Sequence, residues 1–119
     1  LTLGNLETIA RKLKDAGVRT LFLLYPEPLA APGDKEKGWK TMAANANPLI
    51  RRAAESAGVA LLDLDPAMKA AAAKYPIGDL VDAHDGMHLR PRGELVYARA
   101  IFAELQKLGW LPRQARMTE

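Results

Sequence analysis

Asp85-Gly86-Met87-His88 places a carboxylate three residues ahead of an imidazole, on a turn that runs through Leu89 into Pro91-Arg92-Gly93, a helix opening. An imidazole serves as a general base when its far nitrogen donates to a carboxylate, which fixes the tautomer and stabilises the cation formed in the reaction. Gly86 lets the chain curl so that Asp85 faces the His88 ring. The same residues have a plainer use, with Asp85 accepting backbone amides in the turn and His88 left on the surface. Spacing alone does not choose between them.

A hydroxyl for that base to act on is harder to find. The sequence has no Cys and a lone Ser, Ser56, in Ala53-Ala54-Glu55-Ser56-Ala57-Gly58. That is a helix end, without the sharp strand-to-helix turn that exposes a nucleophilic hydroxyl. Thr2, Thr8, Thr20, Thr41 and Thr118 are no better placed. A metal site would use His84 and His88 with Asp85 between them. Asp85-Gly86 is turn chemistry, however, and Pro91 opens a helix only after His88, so the two imidazoles do not share a helix face.

The elements that must hold this turn read as helix, strand, helix, strand, helix, loop, helix. Leu6, Ile9, Ala10 and Leu13 form an apolar stripe predicting a helix over residues 5–16, capped by Thr2 or Asn5 and ended by Gly17. Residues 18–25 are an apolar run closed by Pro26, as in a strand buried on both faces. Residues 26–38 read as a long loop. Residues 39–57 are helical in pattern, interrupted near Asn45-Ala46-Asn47-Pro48, with Asn47 as a cap and Pro48 in the first turn after it. Gly58 precedes a second buried-type strand over residues 59–64, ending near Asp63, whose carboxylate is expected to accept backbone amides. Asp65-Pro66 opens a short Ala-rich helix to residue 74, and residues 75–90 read as loop. The last helix covers residues 91–108, with Gly109 as its stop and residues 110–119 as a tail.

This order predicts an α/β fold with parallel strands and crossover helices. Two strands cannot bury their own faces, so further strands are expected from an upstream segment or a second copy. The chain opens on Leu1 rather than Met, and is expected to have lost an upstream stretch.

At 119 residues and 49% hydrophobic, the sequence suits one domain with a real core. The charge of +3 is scattered. Its late excess (Arg90, Arg92, Arg99, Arg113, Arg116) fits a solvated helix face and tail, and no stacking platform or recognition motif points to nucleic acid. No apolar run approaches the roughly 18 residues of a membrane span, and no signal-peptide pattern is visible. The lack of Cys removes disulfide, thiolate and zinc-thiolate chemistry and leaves the compartment open.

The stretch Asp85-Gly86-Met87-His88-Leu89, with Pro91-Arg92-Gly93 and then Ala98, Ile101 and Leu105, resembles the last motif block of the SGNH (GDSL-type) hydrolases. The apolar run ending in Tyr25-Pro26-Glu27-Pro28 is similar to the family strand that leads into a Pro-rich loop. Asn47-Pro48-Leu49-Ile50, followed by Gly58-Val59-Ala60-Leu61-Leu62-Asp63-Leu64, is similar to its helix with an early Asn and the strand after it. The resemblance spans residues 5–108, the carboxyl-terminal half of such an enzyme.

The resemblance implies a flavodoxin-like three-layer α/β/α sandwich with a parallel sheet. Residues 1–109 would be the carboxyl-terminal part of a single domain and residues 110–119 a tail. It implies a serine esterase acting on O-acetyl, acyl or thioester substrates without cofactor or metal, with His88 as base and Asp85 as its orienter. The family's Gly-Asp-Ser nucleophile segment and its Gly and Asn oxyanion donors are missing. Leu3-Gly4-Asn5 matches the oxyanion segment only superficially, and Asn5 reads as a helix cap. The expected partners are therefore a small-molecule ester and an upstream segment or second chain carrying the Ser. The alternative is a non-catalytic binding or assembly module that retains the fold.

Overall fold

The structure is a computed structural model that describes residues 2–29, 33–112 and 116–118, with side chains described for all of these except 33–37. The first helix, α1 (Leu3–Asp15), is capped by Thr2, whose hydroxyl accepts the Asn5 amide at 3.2 Å. Asn5 is therefore inside the first turn rather than at the cap. Strand β1 (Leu21–Leu24) follows, then the long helix α2 (Gly33–Ala57), strand β2 (Ala60–Asp63) and helix α3 (Asp65–Ala72). A four-residue helix α4 (Ile77–Leu80) precedes the last helix, α5 (Pro91–Lys107).

Helix α2 departs from the sequence reading in two ways. It starts at Gly33, inside the span read as loop, of which residues 30–32 lie outside the described residues. It also runs unbroken through Pro48. A proline inside a helix deprives the carbonyl four residues back of its partner and costs about 3 kcal/mol. The buried ladder Ala43, Ala46, Ile50, Ala53, Ala54 and Ala57 compensates for that loss. These small side chains, at helical spacing, admit close approach to α1, where Ala10 is fully buried.

Strands β1 and β2 pair in parallel, Leu21 opposite Ala60 and Leu24 opposite Asp63, with α2 as the crossover. Alternation along the strand puts Phe22 and Leu24 on one face. That face packs with Leu61 against Ala46 and Ile50 of α2 and Leu6 of α1. The other face carries Leu21 and Leu23, and Leu23 is 37% exposed. The expectation of strands buried on both faces is thus not met within this chain: Leu24 alone in β1 is buried. The lateral edge of β1 away from β2 has no partner strand among the described residues.

A second core joins α3, α4 and α5 through Met68, Ala71, Leu80 and Val81, with Val96 and Tyr97 packed on it. Gly93 lets α5 lie directly on α4, since a Cβ there would run into the Leu80 carbonyl. The radius of gyration is 15.6 Å, against about 13.5 Å for a compact domain of this length. The protein is spread around two small cores rather than gathered on one.

Candidate active site

Residues 25–29 leave β1 and are tied to α2, to the start of α3 and to the turn at residues 85–88. Tyr25 is held by Asn47 of α2, whose side-chain oxygen accepts the Tyr25 amide at 2.9 Å and whose nitrogen donates to the Tyr25 carbonyl at 2.8 Å. Asn47 is thus a clamp on the strand end rather than a helix cap. The Glu27 amide donates to Asp65 at the start of α3 (3.0 Å). The Leu29 amide donates to the Gly86 carbonyl (3.1 Å), in the turn that carries Asp85 and His88. The turn therefore sits at the carboxyl end of β1, where ligands of parallel α/β sheets bind.

The turn itself is tightly specified. An antiparallel bridge joins Val81 to Leu89, and the Asp82 amide donates to the His88 carbonyl at 2.8 Å. The Asp82 carbonyl accepts the Gly86 amide at 2.8 Å, and Gly86 adopts a φ of 71° that side chains rarely tolerate. The Asp82 carboxylate accepts the His84 amide at 2.8 Å and the Arg90 guanidinium at 3.2 Å. Helix α5 then anchors the far end, with Arg92 stacked over the Tyr75 ring at 4.2 Å.

Asp85 makes both sets of contacts expected from the sequence, to backbone amides and to the imidazole. One oxygen accepts the Met87 and His88 amides at 2.8 and 2.9 Å, and the other meets His88 Nδ1 at 2.6 Å. The two backbone amides, followed by the imidazole, pull the Asp85 carboxyl down to about 2. An ionised carboxylate only accepts hydrogen bonds, so Nδ1 carries the proton and neutral His88 keeps its lone pair on Nε2. The His88 side chain is 76% exposed and that of Asp85 19%. A half-buried carboxylate thus lies under an exposed imidazole.

Two hollows meet at His88. A groove of about 790 Å³ is lined by Leu21, Leu23 and Tyr25 of the β1 segment together with Met87 and His88. Leu6, Ile50, Leu64 and Tyr97 also line it and no residue of β2 does, so it follows the unpaired edge of β1. Burial, followed by the charge of Asp65, raises the Tyr97 phenol to about 12. A second cleft, about 440 Å³, lies between His88, Asp85 and the second and third turns of α2 at Gly38, Trp39 and Met42. Trp39 meets the His88 ring edge-on, centroids 6.3 Å apart. Sequence reading missed Trp39 because its span was assigned without reference to the distant turn.

The remaining candidates lie elsewhere. Ser56 is exposed in the last turn of α2 and lines neither hollow. Asn5 is exposed in α1, and Asp63 accepts the Asp65 amide at 3.0 Å, as its strand-end position suggested. His84 is exposed, and among the described residues no group of three His, Cys, Asp or Glu is gathered for a metal ion. None of the described helices is long and apolar enough to cross a membrane.

No protein-family model matches this sequence, and no curated protein matches it. Among solved structures, that of LAE5, an alpha/beta hydrolase enzyme from the metagenome of Lake Arreo, Spain, is similar to the chain, with a TM-score of 0.60 and 21% identity. The match covers 87% of this chain and 47% of that one, so this chain spans about half the length of that enzyme. The chain accordingly shares a mixed α/β fold with that structure.

Proposed function

We propose that this chain is the carboxyl-terminal portion of a serine ester hydrolase of SGNH type, with residues 1–109 completing a flavodoxin-like sandwich and residues 110–119 forming its tail. The observation that carries this reading is the 2.6 Å contact from Asp85 to His88 Nδ1, which leaves Nε2 as an accessible base. The half-length match to a hydrolase structure supports it at the level of fold. The nucleophilic Ser and the oxyanion donors come from an upstream segment or second chain seated along the open edge of β1. That edge ends beside His88, so a strand placed there delivers its carboxyl-terminal residues to the base.

In the reaction, His88 Nε2 takes the proton of the incoming Ser hydroxyl as its oxygen bonds to the acyl carbonyl carbon. Collapse of the tetrahedral species breaks the ester bond, and the departing alcohol takes the proton from Nε2. Water then attacks the acyl-enzyme by the same proton route, releasing the acid and restoring Ser. Asp85 stays ionised throughout and stabilises the transient imidazolium. Without the Ser and an oxyanion hole, the terms that dominate such rates are absent, and this chain alone is inactive.

The test is hydrolysis of p-nitrophenyl acetate by this chain joined to its upstream stretch or mixed with the Ser-bearing partner. Activity that needs both pieces and disappears with His88→Ala supports the reading. Turnover unchanged by His88→Ala rejects His88 as the base, and no turnover from the combined pieces favours a non-catalytic binding or assembly module.

A further inference from the structure

We infer that Trp39 and Met42 form a binding subsite for an aromatic ring carried by the ester, an inference that rests on the esterase reading of Asp85 and His88. Both members of the dyad line the same cleft as Trp39 and Met42, so whatever occupies it lies against the base. The groove along β1 follows a sheet edge and is the place for a completing strand. Among the described residues no strand lines the Trp39 cleft, which leaves it to the substrate.

Its chemistry is selective. An indole and a thioether make its walls, and both favour aromatic groups: indole through offset or edge-on stacking, sulfur through its contact with ring edges. A Cβ built at Gly38 would meet none of the described atoms, which leaves space beside Trp39. A cavity of roughly 150 Å³ holds benzene, and about 440 Å³ accommodates a substituted ring. Among the residues lining this cleft, the carboxylate is that of Asp85, already engaged by two backbone amides and the imidazole. A sugar would find few free polar partners among the described lining residues, whereas an aryl ester meets two apolar walls and the base.

Binding can be read without turnover. The full chain, labelled with nitrogen-15 and with carbon-13 at the Met methyls, is titrated with phenyl acetate and, separately, with methyl acetate. Phenyl acetate is expected to shift the Trp39 indole N–H and the Met42 methyl along one saturable curve, with Trp110 unmoved and methyl acetate silent. Met42→Gln, which keeps the shape, should weaken binding roughly fivefold. Trp39→Leu, which keeps apolar bulk without the ring, should weaken it further. Equal responses to the two esters, a Trp110 shift on the same curve, or unchanged affinity in Trp39→Leu would overturn the subsite. A chain that binds phenyl acetate at Trp39 yet stays inactive with its Ser-bearing piece keeps the subsite and loses the esterase reading. Equal hydrolysis of the two esters, unaffected by Trp39→Leu, does the reverse.

Discussion

Gly93→Ala is a one-carbon change that should disturb the base from a distance. The added Cβ would overlap the backbone carbonyl of Leu80 and press within 3.2 Å of the Leu89 side chain. Neither neighbour yields easily. Leu80 is fully buried and its carbonyl accepts the Arg90 amide at 2.9 Å, so relief requires α5 to lift from α4. Overpacking of this kind costs about 1–3 kcal/mol, against a gain for Ala over Gly in a helix of at most about 1 kcal/mol. The net loss is about 1–2 kcal/mol, or a fall of roughly 5 °C in melting temperature for a domain of this size. Gly78→Ala is the control, because a Cβ there meets nothing. Urea and thermal unfolding of the two variants measure the difference, and the His88 ring resonances report whether the Val81–Leu89 bridge moved with the helix. A Gly93→Ala protein as stable as the parent, with unchanged His88 signals, would refute the claim that this close approach fixes the turn.

Asn47→Ala removes both hydrogen bonds on Tyr25 and should cost about 1–2 kcal/mol by urea unfolding, with Asn47→Asp, which keeps only the acceptor, costing about half. Asp85 titrates near 2 in the folded chain, below an unfolded carboxyl at about 3.9, so its ionised form favours the folded state. The stability gap between the parent and Asp85→Asn should therefore hold from neutrality down to about pH 4 and close towards about pH 2. Denaturant midpoints across that range check the sign. Asp82→Ala removes the acceptor for the His84 amide and for Arg90, and should speed amide exchange through residues 83–88 while leaving α1 and α2 protected.

The order of elements was legible because their ends carry strong backbone signals. Gly17, Gly58 and Gly109 all take positive φ where a helix stops, a conformation open to glycine at little cost. The parallel strand pair followed from two apolar runs separated by a helical pattern. Helix α2 was misread at Pro48 because local propensity there opposes the helix, while the buried alanine ladder that overrides it depends on α1. Helix α4 was missed because Ile77 and Leu80 supply one turn of periodicity, too little to distinguish from loop. In the site, the Asp85–His88 pair is local in sequence and could be read directly. The ties from Tyr25 to Asn47 and from Leu29 to Gly86, and the approach of Trp39 to His88, join residues far apart in the chain. No spacing rule reaches them.

Whether Asp85 holds His88 with Nε2 free for an incoming hydroxyl is measured most directly by nitrogen-15 NMR of the neutral imidazole. The expected spectrum places the proton on Nδ1 in the parent. In Asp85→Asn the side-chain oxygen must still accept the Met87 and His88 amides, which turns the amide nitrogen towards Nδ1 and drives the proton to Nε2. A parent ring protonated mainly at Nε2, or a tautomer indifferent to that substitution, would contradict the account.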